Sequence, residues 1–134
     1  MAWRSRPTRR ALTFCIPVEA AILINRSLPR TTHAVTNRGQ LESALARPMH
    51  VFGDQLVYPT LIERAAALLH GVASAHAFFD GNKRTAWLCT SMYLDREGSP
   101  LQGIPDIDAA DFVVDVVLGR IGHEDVSVWL LDRT

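Results

Sequence analysis

Residues 76–85 read His-Ala-Phe-Phe-Asp-Gly-Asn-Lys-Arg-Thr, which places a base, a carboxylate, a glycine turn and anion-binding groups in ten consecutive positions. The imidazole of His76 can take a proton from an attacking hydroxyl near neutral pH. Asp80 supplies a carboxylate, and a carboxylate beside bound phosphates is the usual way to hold a magnesium ion. Gly81 permits a turn that other residues resist. Asn82, Lys83 and Arg84 then open a helix, where free amides and the positive end of the dipole favour an anion. Two cationic side chains at that end make a polyphosphate the natural guest. Together these residues point to phosphoryl or nucleotidyl transfer, a reaction served mainly by positioning and charge neutralisation.

The flanks must hold this loop in place. Residues 61–75 (LIERAAALLHGVASA) and 86–97 (AWLCTSMYLDRE) are rich in alanine and leucine with few breakers, so both are expected as helices. The motif therefore sits at a helix-loop-helix junction. His76 is expected to close the first helix, and Phe78 to anchor the loop in the core.

With those residues set out, the chain resembles the Fic/Doc (death-on-curing) family of toxins, whose signature has the form H-x-F-x-[D/E]-[A/G]-N-[K/G]-R. His76, Phe78, Asp80, Gly81, Asn82, Lys83 and Arg84 meet every fixed position. The resemblance extends to LESALARP at 41–48, FGDQLVYPTLIERAAALLHGVA at 52–73 and MYLDREG at 92–98. Two positions lean toward the Doc branch: Lys83 stands where AMP-transferring members usually have glycine, and Trp87 where they have a second arginine. A lysine crowds the space a glycine leaves and offers charge instead. Gly81 matches the wider family, since Doc itself has alanine there.

The resemblance implies a Doc-type toxin of a type II toxin-antitoxin system that moves the γ-phosphate of ATP, with Mg²⁺, to a Ser or Thr hydroxyl of a protein target. By analogy that target is translation elongation factor Tu. In this scheme His76 is the catalytic base, Asp80 holds the metal, Gly81, Asn82, Lys83 and Arg84 bind the nucleotide phosphates, and Phe78 anchors the motif. A Phd-like antitoxin is the implied inhibitor, because no S/T-x-x-x-E-[G/N] self-blocking helix is present. Its tail would fold on an apolar groove. The alternatives are Fic-type AMP transfer, favoured by Gly81, and a catalytically silent binding module, disfavoured by intact His76, Asp80 and Asn82.

Taken singly, each residue has a plainer role. A histidine at a helix end can simply complement the dipole, Asp80-Gly81 can be an ordinary turn, and Lys83-Arg84 a solvated patch. Their joint spacing changes the balance. Thr85 is expected to act locally, and Trp87 and Tyr93 to fill core or rim. The glycine spacing of a Walker loop is missing.

Composition fits one intracellular domain over 1–134: the chain is 48% hydrophobic and 21% charged, with formal net charge +0. Neutrality offers no broad footprint for nucleic acid. The arginines among residues 1–12 read as a flexible basic tail. Pro17 and Glu19 interrupt the apolar run that follows it, which argues against a secretory signal, and a cytoplasmic location is expected with no membrane span. Cys15 and Cys89 read as free thiols, and neither cysteines nor histidines show metal-finger spacing.

The expected fold is all-α, a compact helical bundle with helices near 17–27, 37–46, 60–75, 82–97, 107–121 and 124–132. Asn37 and Gln40 suit a capping pair, Pro48 a stop, and Gly98 the end of the motif helix. In the fifth segment Ile107, Ala110, Val114, Val117, Leu118 and Ile121 are expected to form the buried face. Residues 47–59 are the least helical and correspond to the family's target-clamping flap. Met49, Val51 and Phe52 could either serve that flap or pack on the core.

Overall fold

A computed structural model describes residues 14–134. The basic tail expected over residues 1–12 lies outside them. Six α-helices are found among the described residues: α1 (Val18–Ser27), α2 (Arg38–Ala46), α3 (Leu61–Ser74), α4 (Asn82–Arg96), α5 (Asp106–Val117) and α6 (His123–Leu131). A 3₁₀ turn, Arg47–Met49, and a two-stranded antiparallel hairpin, β1 (Val51–Phe52) with β2 (Gln55–Leu56), separate α2 from α3. The helical bundle expected from the sequence is what the chain forms, and the hairpin falls within the segment expected to be a flap.

Local chemistry explains the element ends. Asn37 accepts the Gln40 amide through its side chain at 3.1 Å, and Thr60 does the same for Glu63 at 3.2 Å, so α2 and α3 each start on a side-chain cap. The helix expected near 107–121 stops at Val117. Gly119 takes φ 70, and the amides of Gly119 and Arg120 turn back to the carbonyls of Val116 and Asp115, a Schellman end that only a glycine adopts without strain. Gly98, with φ 85, closes α4 in the same way.

The face expected to be buried on α5 is also displaced. Ala109, Phe112, Val113 and Val116 are buried, whereas Ile107 and Leu118 are 66% and 58% exposed. The physical reason is Phe112, whose ring stacks on Trp129 with centroids 3.7 Å apart and turns the helix toward α6. The apolar stripe picked from periodicity flanks the true core face, because α5 is apolar around more than half of its circumference.

The core lies around α3, which buries Ala65 through Leu69 together with Val72 and Ala73. Alanines on α3 and Ala86 and Cys89 on α4 let the two motif helices approach closely. Burial pushes the Cys89 thiol up to about 12, so it packs as a neutral group. Val51 and Phe52 point away from this core, and Phe52 is 86% exposed. Both are therefore displayed on the hairpin, while Met49 is half-buried. No helix among the described residues is long and apolar enough to cross a membrane.

Candidate active site

The loop between α3 and α4 is shaped by ties to distant residues. α3 ends at Ser74, so His76 lies beyond the helix that it was expected to close. It takes φ 50, one of two non-glycine residues with positive φ among those described. A left-handed histidine costs about 1–2 kcal/mol, and the surrounding contacts must sustain it. They do so through the segment 34–37. The amides of Thr36 and Asn37 donate to the Ala77 carbonyl at 2.8 and 3.1 Å, and the Phe79 amide donates to Ala34 at 2.9 Å. Val35 and Phe78 thereby form a short antiparallel bridge. The Phe78 side chain is buried at 3% exposure, which pins the middle of the loop while His76 stays exposed.

Asn82 braces the loop from the other end. Its Oδ1 accepts the Phe78 amide at 3.0 Å and its Nδ2 donates to the Phe78 carbonyl at 2.9 Å. Both functional atoms of that side chain bond to main chain, and Nδ2 keeps a second N–H that, with the backbone amide, is left to offer a phosphate. The side chain thus clamps the loop at Phe78.

Gly81 caps α4 with φ 79, and a Cβ at this position would meet Leu28 Cδ1 at 2.7 Å and Asn25 Nδ2 at 3.1 Å. The backbone conformation therefore favours glycine, and any larger residue would also have to displace the end of the Leu28 side chain. The first intrahelical bond of α4 is the Thr85 amide to the Gly81 carbonyl at 2.9 Å. The amides of Asn82, Lys83 and Arg84 precede it, and no side chain caps this end, so an uncapped positive helix terminus faces outward.

Around that terminus stand Asp80, Lys83 and Arg84, all exposed. Asp80 Oδ1 accepts the Gly81 amide at 2.8 Å, which fixes the carboxylate's orientation and leaves its second oxygen for a cation. No cluster of three or more metal-ligating side chains exists among the described residues. One carboxylate oxygen beside an uncapped, cationic helix end is the kind of donor set that could hold Mg²⁺, which keeps several waters and binds through one or two carboxylates plus phosphates. Arg84 donates to Thr31 Oγ1 at 2.9 Å, which holds its guanidinium beside the loop.

Sequence reasoning missed Asn25. This residue on α1 is 1% exposed and donates through Nδ2 to the Asp80 carbonyl at 2.9 Å and to Thr85 Oγ1 at 3.1 Å. It joins α1, the motif loop and the first turn of α4. A signal was present, since Asn25 falls on the same helical face as Ala21 and Ile22, where a polar residue needs a buried partner. Thr85 accepts that bond from 60 residues away, so its hydroxyl ties α4 to α1 rather than acting locally as a cap.

A groove of about 550 Å³ runs from this site between α4 and α5, lined by Trp87, Leu88, Ala110 and Val114 with Lys83 and Arg84 at one end. Trp87 meets Phe112 and Trp129 edge-on, so its ring packs toward α5 and α6.

The loop thus carries an exposed histidine, an oriented carboxylate and a cationic helix start, and residues 16–94, which include it, match the model of the Fic/DOC family. The chain belongs to that family. It is similar to Toxin Doc of Mycolicibacterium smegmatis (strain ATCC 700084 / mc(2)155), with 40% identity over 86 residues. Those residues make up 64% of this chain and 66% of that protein, just under two thirds of its length.

Proposed function

We propose that this protein is a Doc-like toxin that transfers the γ-phosphate of ATP to a Ser or Thr hydroxyl of a protein target, with elongation factor Tu the target that the resemblance suggests. The observation that carries this reading is the juxtaposition of exposed His76, held in a left-handed conformation, with Asp80 and the uncapped, doubly cationic start of α4. His76 takes the proton of the attacking hydroxyl. The free amides of α4 with Lys83 and Arg84 bind and neutralise the phosphates, and Asp80 Oδ2 binds the metal. Mg²⁺, when bound, supplies further neutralisation of the phosphate charge. Asn82 braces the loop that carries His76 and Asp80 into the start of α4.

Lys83 and Trp87 favour γ-phosphoryl over AMP transfer. Lys83 places a charged side chain where the AMP-transferring branch leaves space, and Trp87 is packed on Phe112 and Trp129, so no guanidinium is available at its position. Gly81, the residue that spoke for AMP transfer, is accounted for by its φ of 79 and by contact with Leu28.

The hairpin before α3 displays Phe52 and Val51, and it is the element suited to hold a target peptide by edge pairing. The α4–α5 groove is the apolar surface suited to an antitoxin helix. An acidic residue at one end of such a helix would meet Lys83 and Arg84 and cover the phosphate site.

Induced expression in bacteria tests the toxin reading. Growth arrest by the native chain, its loss in His76→Ala at equal soluble level, and rescue by a co-expressed antitoxin are expected. Arrest undiminished in His76→Ala would overturn the catalytic assignment.

A further inference from the structure

A separate cavity of about 340 Å³ with a polar wall lies between the feet of the hairpin, α3 and the start of α6, and no residue of the 76–85 motif lines it. Its polar wall consists of Arg47, Tyr58, His70 and His123, set over a floor of small apolar residues that includes Ala66 and Val126. Arg47 donates to His70 Nδ1 at 3.3 Å and to the Tyr58 hydroxyl at 3.5 Å, and the Tyr58 and His123 rings lie 5.2 Å apart.

We propose that this cavity binds a small oxyanion of the phosphate class, held by the Arg47 guanidinium, the His70 and His123 rings and the Tyr58 hydroxyl.

Charge is the first argument. Arg47 and His123, two groups able to carry positive charge, share one opening with neutral His70, and among the described residues no ion pair ties Arg47 or His123 to a carboxylate. Glu124 and Asp125 follow His123 but are exposed in the first turn of α6, where they complement its dipole. Arg47 instead donates to two neutral acceptors. A guanidinium has no acceptor atom, so His70 Nδ1 must carry the lone pair and Nε2 the proton. His70 is thus set as a donor, and the planar fork of Arg47 matches the geometry of an oxyanion.

The second argument is how Arg47 is held. Gly71 lies within α3, where glycine weakens a helix, and a Cβ there would meet Arg47 Cδ at 3.2 Å. Glycine lets the arginine stem lie flat across α3 so that its head reaches His70. Burial, then the charges of Arg47 and His123, hold the His70 imidazole below its ordinary range, and an anion would relieve the latter two. Arg47 precedes the hairpin and Tyr58 follows it, so an occupant ties both hairpin feet to α3 and α6. The site therefore couples anion binding to the position of the hairpin.

The test is an NMR titration of the histidine ring signals of the full chain with inorganic phosphate, against chloride at matched ionic strength. Saturable shifts of His70 and His123, not shared by His33 or His50, are expected. Arg47→Gln should weaken binding by about tenfold or more, in line with loss of a charge-assisted fork. Gly71→Ala should weaken it as well, although no charge is removed. His123→Gln, at an exposed position, serves as the control should Arg47→Gln not fold. Shifts that do not saturate, that chloride reproduces, that survive in Arg47→Gln, or that arise only at the start of α4 would overturn the proposal.

Discussion

Asn82 grips Phe78 by both main-chain polar groups, accepting its amide at 3.0 Å and donating to its carbonyl at 2.9 Å. A four-residue span is thereby closed into a ring with the buried Phe78 side chain on one side and exposed His76 on the other. Asn82→Ala removes the clamp and leaves two loop groups without partners, which costs about 1–3 kcal/mol. A denaturant midpoint lowered by that amount, with transfer activity down about a hundredfold because the base is no longer positioned, is expected. Asn82→Asp retains the acceptor for the Phe78 amide but turns a carboxylate oxygen on the Phe78 carbonyl, so it should restore little of what Asn82→Ala loses. Unchanged activity in Asn82→Ala would remove the positioning role.

Gly81 faces two separate obstacles to substitution, a φ of 79 and a 2.7 Å approach to Leu28 Cδ1. Gly81→Ala should destabilise the fold by about 1–3 kcal/mol. Combining it with Leu28→Ala makes room without relieving φ, so thermal unfolding of the double variant should show the steric part as a non-additive gain. Full additivity would mean that the clash is absorbed elsewhere.

Much of this site was legible in the sequence because its chemistry is local. His76, Asp80, Lys83 and Arg84 stand within nine residues on one loop and helix start, and the glycine and the flanking helices follow from short-range rules. What was not legible is what fixes them. The 34–37 segment pairs with the loop through backbone groups, which leave no mark on residue type. Asn25 acts across 55 positions to Asp80. The buried face of α5 was misplaced because Phe112, Val113 and Val116 compete with an equally apolar neighbouring stripe, and only the stacking of Phe112 on Trp129 decides between them.

The α4–α5 groove offers a separation of function. Ala110 lines it and lies outside the motif. Ala110→Arg should fill the groove and set a cation near Lys83 and Arg84, weakening antitoxin binding at least about tenfold with transfer retained. Calorimetry with the partner and a transfer assay on the same preparation would check this. Undiminished antitoxin affinity would place that partner elsewhere.

His70 gives the fold an acid-sensitive term. Its pKa is lowered from 6.5 by burial, then by Arg47 and His123. The unfolded imidazole then protonates before the folded one, so the stability contributed by neutral His70 is present above the unfolded value and is lost as pH falls through the folded one. Denaturant midpoints of the native chain should decline over that window more steeply than those of His70→Gln. Parallel declines would contradict the assignment.

The central claim, γ-phosphoryl transfer with His76 as base, is tested most directly by labelled ATP. Protein, Mg²⁺ and purified elongation factor Tu or bacterial lysate are incubated with ATP carrying label at either the γ or the α phosphate, with His76→Ala in parallel. The account predicts a protein target labelled from the γ position alone, and no label with His76→Ala. Label from the α position, or γ-label that persists without His76, would contradict it.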